Sequence, residues 1–460
     1  MKEEHPLHLL QGSRSLYLLL QSLNSFKFCR DRNISNEHKE EEMKKIIMSA
    51  VALTAIIGPV STLSAADGIN ILNDMKVTGE IRPRYEHVEV KDSANSAANA
   101  FTARVRLAVE TKSLAEISGL TAKVGVTSVN NFGYTKYNDK AGQGTGYEVI
   151  LDPQQAMLSE AYLSYTAADT TLLAGRSHVN LDDQRFIGTV GWRQMERAYD
   201  TVTVVNKSVE GLTLLGSYVY GYAGVNSVTT VDTASVLLNV NYKLNDALVV
   251  SGFDYMLANI HDTYGLRVSG KKAVSDSVKL NYALSYAMQT DNSLQYGSGD
   301  VTNSIDASYY DAVLGANMNG FILGGEYEVL GKAANATDTD GFTTPLATLH
   351  KFQGFADVFL GRTKFNGLGG NKDGLIDMSI KAGYKTKGFG KALVWYHKFD
   401  AETGNDTDLG SEVDAVYANA IPGFKNLKGL VKAAYYIQGD ATTSPSNDKA
   451  VVWAQLDYKF

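Results

Sequence analysis

The sequence predicts an all-β fold: a transmembrane antiparallel β-barrel of about eighteen strands, preceded by a cleaved signal peptide. Three observations predict it. Residues 67–460 alternate apolar and polar side chains with a period close to two, the signature of strands. One export-type segment precedes them, and no later apolar run is long enough for a membrane helix. The alternation gathers charge on one face and many Tyr and Phe on the other, as lipid-facing strands with aromatic girdles require.

Composition bounds the alternatives. The 460 residues carry 43 Lys+Arg against 50 Asp+Glu, a formal net charge of −7. That balance argues against a nucleic-acid partner, which needs a basic surface to displace counterions. Hydrophobic content of 44% with 20% charged residues excludes wholesale disorder. The one cysteine, Cys29, excludes an internal disulfide framework and any cysteine-rich metal site.

Met43-Lys44-Lys45 opens a positively charged region, an apolar stretch runs from Ile46 to Val60, and small residues follow at Ser61, Ser64, Ala65 and Ala66. This layout makes 43–66 a bacterial secretory signal. Residues 1–42 have no role in such a signal, since Glu37, Glu40, Glu41 and Glu42 are wrong for the region before it. They read as a non-native extension from a misassigned start, with Met43 the initiator. The barrel is then 67–460, with no cysteine and 35 basic against 43 acidic residues.

Strands are expected near 75–89, 101–112, 120–129, 157–167, 169–176, 198–207, 211–222, 234–244, 247–258, 263–271, 277–288, 306–317, 321–329, 376–385, 389–399, 412–421, 428–438 and 450–460. An even number suits a single-chain bacterial barrel. Tight connections such as Asn245-Asp246 and Asn319-Gly320 alternate with longer polar ones, among them 130–156, 177–197 and 330–375. Both termini fall on the tight-turn side, the periplasmic side of this class. The short connection at 259–262 breaks the alternation. Phe352–Leu360 is also strand-like, but a nineteenth span would reverse every later connection, so it belongs inside the 330–375 loop. A loop that long is usually functional, and folding into the lumen it would constrict the pore.

Eighteen strands enclose an aqueous lumen, so inward charges set solute preference. The first strands point Arg82, Arg84, Arg104 and Arg106 inward beside Glu80, Glu86 and Glu110. Later inward candidates are Asp254, Arg267, Lys271, Lys279, Glu326, Glu328, Asp377, Lys381, Lys432, Asp457 and Lys459. Two readings stand for the arginine group: a ladder of cross-strand pairs that stabilises the wall, or a track that guides anionic solutes.

Residues 160–200 carry Glu160-Ala161-Tyr162-Leu163-Ser164-Tyr165, Leu173-Ala174-Gly175-Arg176, Asp182-Asp183-Gln184-Arg185-Phe186-Ile187-Gly188, Gly191-Trp192-Arg193-Gln194 and Tyr199-Asp200. With His350-Lys351-Phe352 and Gly354-Phe355-Ala356-Asp357, this pattern resembles the alginate-export family of outer-membrane barrels. The resemblance implies an eighteen-stranded monomeric barrel with a charge-lined pore, and places Arg176, Arg185, Arg193, Asp200 and Asp357 among its pore-lining and selectivity residues. Arginine can pair with a carboxylate at two points. Arg185, Arg193 and Arg197 of the 177–197 loop could instead pair with Asp182, Asp183 and Glu196 and only brace an inward loop.

The function that follows is an outer-membrane porin passing small hydrophilic solutes, anions among them, through a charge-lined lumen. Alternatives are an alginate-like polysaccharide export pore, a barrel enzyme or a surface adhesin. No Gly-x-Ser-x-Gly elbow or Walker loop is present, which argues against an enzyme. No cofactor or metal is expected, because His87, His178, His261, His350 and His397 lack ligand spacing. Expected partners are outer-membrane lipid and lipopolysaccharide, the solutes, and the barrel-assembly machinery, whose C-terminal signal the ending at Phe460 resembles.

Overall fold

The computed structural model describes residues 72–297, 304–360, 371–404, 406–441, 443–445 and 447–460. The expected extension 1–42 and signal 43–66 lie outside them. Among the described residues, eighteen antiparallel strands close into one barrel. They are β1 Lys76–Val90, β2 Ala98–Glu110, β3 Leu120–Asn130, β4 Gln155–Ala167, β5 Thr170–Ser177, β6 Ala198–Asn206, β7 Leu212–Gly224, β8 Ser227–Asn245 and β9 Leu248–Leu257. The circuit continues with β10 His261–Ala273, β11 Val278–Thr290, β12 Asp306–Met318, β13 Phe321–Leu330, β14 Leu375–Thr386, β15 Gly390–Asp400, β16 Asp408–Ala420, β17 Leu427–Gln438 and β18 Lys449–Lys459. Each expected strand overlaps one observed strand, and Phe352–Leu360 contributes no strand.

Each strand pairs with its sequence neighbour, and β18 returns to β1 with Ile81 opposite Tyr458 and Val88 opposite Val451. Closure leaves no sheet edge, so every ladder donor and acceptor can be paired inside the wall. At the seam the Gly79 amide donates to the Phe460 carbonyl at 2.8 Å and the Phe460 amide donates back at 3.0 Å. A Cβ on Gly79 would lie 2.2 Å from the Phe460 ring, so a larger residue there would have to displace that ring. Tight turns such as 246–247 and 319–320 sit at the end that carries both termini of the barrel; the 131–154, 178–197, 331–374 and 439–448 connections sit at the other.

The alternation has the expected sense. Val105, Leu266, Leu314, Ile380 and Val431 are exposed on the outer surface, with Tyr264, Tyr286, Tyr310, Tyr327, Tyr396 and Tyr435 marking an aromatic band toward the long-loop end. Asp254 corrects the sequence reading. It sits opposite Leu238 and Tyr264, so it belongs to the outward row, while its neighbours Phe253 and Tyr255 are buried on the inside.

A second correction concerns the interior, which is not wholly aqueous. Phe186 packs 5.0 Å from Phe253, 5.3 Å from Tyr309 and 6.1 Å from Phe342, and Phe359 lies 4.5 Å from Phe399 between ring centroids. The long loops carry aromatic residues inward, and the wall supplies aromatics on its inner rows to receive them.

Candidate functional site: a two-loop constriction

The 178–197 loop and the described part of the 331–374 loop, up to Leu360, fold into the barrel and bond to each other. Gly188 donates to the Leu346 carbonyl at 2.8 Å, Thr348 to the Gln184 carbonyl at 3.0 Å, and Val190 to the Thr348 hydroxyl at 3.0 Å. Three groups of wall residues hold this pair in place.

The first group is the inner face of β1 and β2. Arg82 donates to Gln194 Oε1 at 3.0 Å and to the Gly191 carbonyl at 2.9 Å. Arg84 donates to the Trp192 carbonyl at 2.5 Å and to Gln455 Oε1 at 2.7 Å, and its guanidinium lies 4.1 Å above the Trp192 ring. Arg104 pairs with Glu80 and, at 2.9 Å, with Glu196; Arg106 pairs with the other oxygen of Glu196. Arg82, Arg84 and Arg104 are each at most 4% exposed. They point inward as expected, but into loop backbone rather than open lumen. Arg106 is half-buried at the border of this lattice.

The second group anchors the turn at 354–357. The Phe355 amide donates to Asp414 at 3.0 Å and the Ala356 amide to Glu412 at 2.7 Å. Gly354 has φ +80°, and a Cβ there would meet the Glu412 carboxylate at 2.5 Å. Both the left-handed backbone and the close approach demand glycine. From β18, Lys449 Nζ donates to the Ala356 carbonyl at 2.6 Å.

The third group is on β12 and β13. Arg185 donates to Glu328 at 2.5 Å and to the Thr344 hydroxyl at 3.2 Å, and lies 4.5 Å above the Phe352 ring. Tyr309 donates to the same Glu328 carboxylate at 2.7 Å. Between the groups, Arg193 donates to Glu86 at 3.0 Å and to Asp357 at 3.1 Å, so one buried guanidinium ties wall and both loops together.

Burial and charge together set the ionisation of the loop groups. Burial pushes Glu196 up, but Arg104 and Arg106 outweigh it and hold the carboxyl at about 2. Burial pushes His350 down, Asp357 opposes the shift and Lys432 reinforces it, leaving the imidazole at about 3. Both groups keep their neutral-pH form well into acid.

Arg176 and Asp200 lie elsewhere. They form a two-point pair, Nε to Oδ1 at 2.7 Å and Nη2 to Oδ2 at 2.6 Å, across β5 and β6. By strand parity both belong to the outward row with Leu172, Ala174, Val202 and Val204, and Arg176 also donates to Thr230. Of the residues that the sequence grouped, the structure brings together Arg82, Arg84, Arg104, Arg106, Arg185, Arg193 and Asp357 around the loops; it places Arg176 and Asp200 on the outer face.

The open lumen runs along the other side. A cavity of about 1430 Å³ is lined by inward residues of β8 to β15, with Lys432 of β17 and the 180–185 and 348–355 stretches closing one side. Lys271, Lys279 and Lys381 project into it, beside Glu326, Asp377 and the Arg267–Asp311 pair, whose N···O distance is 2.9 Å. Among the described residues, Lys271, Lys279 and Lys381 have no ion-pair partner within 4.0 Å. The constriction also depends on Trp192, His350, Phe355, Trp395 and Trp453, which sequence reasoning did not single out as lumenal. For Trp395 and Trp453 the signal was apolar side chains on both faces of a strand, as in Val451-Val452-Trp453; Trp192, His350 and Phe355 are on the loops, where strand alternation gives none.

Known structures share this architecture. The chain is similar to Acinetobacter baumannii OccAB3 (15% identity, 84% of this chain and 100% of that one, TM-score 0.64). It is similar to Pseudomonas aeruginosa OccK9 (OpdG) (16% identity, 85% and 99%, TM-score 0.64) and OccK8 (OprE) (15%, 85% and 99%, TM-score 0.62). No family model matches the chain, and no curated protein does. These neighbours carry Occ-type names, so the resemblance to the alginate-export family is corrected: the comparisons do not support that family. At this identity the likeness supports the closed eighteen-stranded barrel fold.

Proposed function

We propose that this protein is an outer-membrane diffusion channel for small hydrophilic solutes, with a preference for anions. The observation that carries the reading is the cavity of about 1430 Å³ beneath a two-loop constriction, with Lys271, Lys279 and Lys381 on its wall and, among the described residues, no carboxylate within 4.0 Å of them. Unpaired ammonium groups in a confined aqueous passage concentrate anions and repel cations. Arg82, Arg84, Arg104, Arg185 and Arg193 act one step removed: they fix the loops whose edges set the aperture.

In this reading the tight-turn end with both termini is periplasmic, lipid and lipopolysaccharide surround the outer rows, and the assembly machinery reads the strand that ends at Phe460. The Occ-type neighbours support the channel reading over export of a polysaccharide. Single-channel recording across a salt gradient tests it. The reversal potential should show anion preference, and Lys271→Gln, Lys279→Gln and Lys381→Gln together should move it toward cations. An unselective pore, or no shift in the triple variant, would remove the lysines from the account. Protease added to whole cells should cut within 439–448 and spare 387–389; the reverse pattern would invert the orientation.

A further inference from the structure

A second cavity of about 160 Å³ lies on the long-loop side of the constriction, lined by Arg193, Arg197, Tyr222, Leu349 and Asp357 among others. One residue lines both cavities: His350. Its ring is stacked 4.7 Å from Trp192 at an interplanar angle of 6° and 5.6 Å from Phe355 at 23°. Its two nitrogens are both engaged. Nε2 lies 2.6 Å from Lys432 Nζ, and Nδ1 lies 2.9 Å from Asp357 Oδ2. An ammonium can only donate, so Nε2 must carry the lone pair; Nδ1 then carries the proton and donates it to the carboxylate. The chain of bonds therefore needs a neutral His350 in one tautomer.

Lys432 comes from the β17 wall and is buried, with Nζ 3.1 Å from the Phe355 ring centroid, 4.3 Å from that of Trp192 and 5.2 Å from that of Trp453. The bond from Lys432 to His350 thus joins the wall to the 331–374 loop at the plane that divides the two cavities. We propose that the Lys432–His350–Asp357 chain is a proton-sensitive latch that closes the passage between the outer recess and the lumen. A proton on Nε2 would set N–H against the ammonium, turn the bond into repulsion and free this edge of the loop.

The surrounding charges favour the same outcome. Arg193 donates to the same Oδ2 of Asp357 that His350 meets, and Arg84 lies over Trp192. Glu412 and Asp414 grip the next turn of the loop from β16, and Lys449 holds it from β18.

The inference rests on the channel reading, and recording at stepped pH separates the two. Wild-type channels should be small at neutral pH and step to a larger conductance as pH falls toward about 3, where His350 titrates. His350→Gln offers Lys432 an acceptor that takes no proton and should lose the acid step. Lys432→Met keeps the bulk among the rings without the charge; it should be open at neutral pH and also lose the step. Variants are read only where the unheated protein keeps the fast gel mobility of a folded barrel, and the wild-type titration stands without them. Absence of any channel would sink the channel reading. A channel with no acid step, or a step unchanged in His350→Gln, would overturn the latch alone.

Discussion

Replacing Arg193 with methionine tests how far the constriction depends on buried ion pairs. Arg193 is 7% exposed and its guanidinium is shared between Glu86, at 3.0 Å, and Asp357, at 3.1 Å. Methionine roughly keeps the volume and removes the charge, so both carboxylates lose this partner in a site with little water. Breaking one partner of a buried pair typically costs about 3–5 kcal/mol, because the remaining charge is left uncompensated. At about 1.4 kcal/mol per tenfold, the docked-to-undocked ratio of the loops should fall roughly 100- to 4000-fold. The barrel itself should survive, since its interstrand ladders do not pass through Arg193. Hydrogen exchange in detergent should therefore quicken in peptides spanning 343–357 and stay slow in β10 to β15, while single-channel conductance rises. Adding Glu86→Gln should recover part of the loss, since one stranded charge is removed. Unchanged exchange at 343–357 would refute the idea that these pairs hold the loops.

Other consequences follow from the same geometry. Glu196 sits at about 2 in the folded barrel against 4.5 when free. Between those values the unfolded chain holds the extra proton, so its stabilising contribution is complete above 4.5 and fades as pH falls toward 2. The stability gap between wild type and Glu196→Gln, from denaturant melts, should narrow over that interval; a constant gap would remove Arg104 and Arg106 as its cause. Asp200→Asn breaks an outward-row pair, so it should weaken the folded barrel while leaving conductance and ion preference as they were; a changed reversal potential would place this pair in the lumen after all. Gly354→Ala forces a Cβ into the left-handed turn and against Glu412. It should loosen the 331–374 loop, read as faster exchange at 343–357, and an unchanged rate there would show that the turn adapts.

The strands were legible because lipid on one side and water on the other impose a two-residue period that any register slip would destroy. That constraint recovers the positions of all eighteen spans and puts Phe352–Leu360 in a loop. It says nothing of what an inward side chain meets. Arg82 and Lys381 are both charged residues on inward rows; one lies under Trp192 and Gln194, the other faces the lumen. The difference is made by contacts more than a hundred residues apart in the chain, which no local pattern encodes. Asp254 was misplaced for a related reason. A carboxylate between Phe253 and Tyr255 is read as the inward member, but aromatic loop residues entering the barrel reverse the usual polarity of that wall. For Arg176 the Gly-Arg motif suggested a pore role, whereas strand parity places it outside with Leu172 and Ala174.

The central claim is that adjacent residues of one strand face hydrocarbon and ion-conducting water in turn, along the β8 to β15 wall. Ile380 and Lys381 are such neighbours: Ile380 is 66% exposed on the outer surface, and Lys381 lines the cavity. The sole cysteine, Cys29, precedes the barrel, so single cysteines at these positions report cleanly. A charged, water-soluble thiol reagent added during single-channel recording should change the current through Lys381→Cys and leave Ile380→Cys untouched. Block at Ile380→Cys with none at Lys381→Cys would contradict the account.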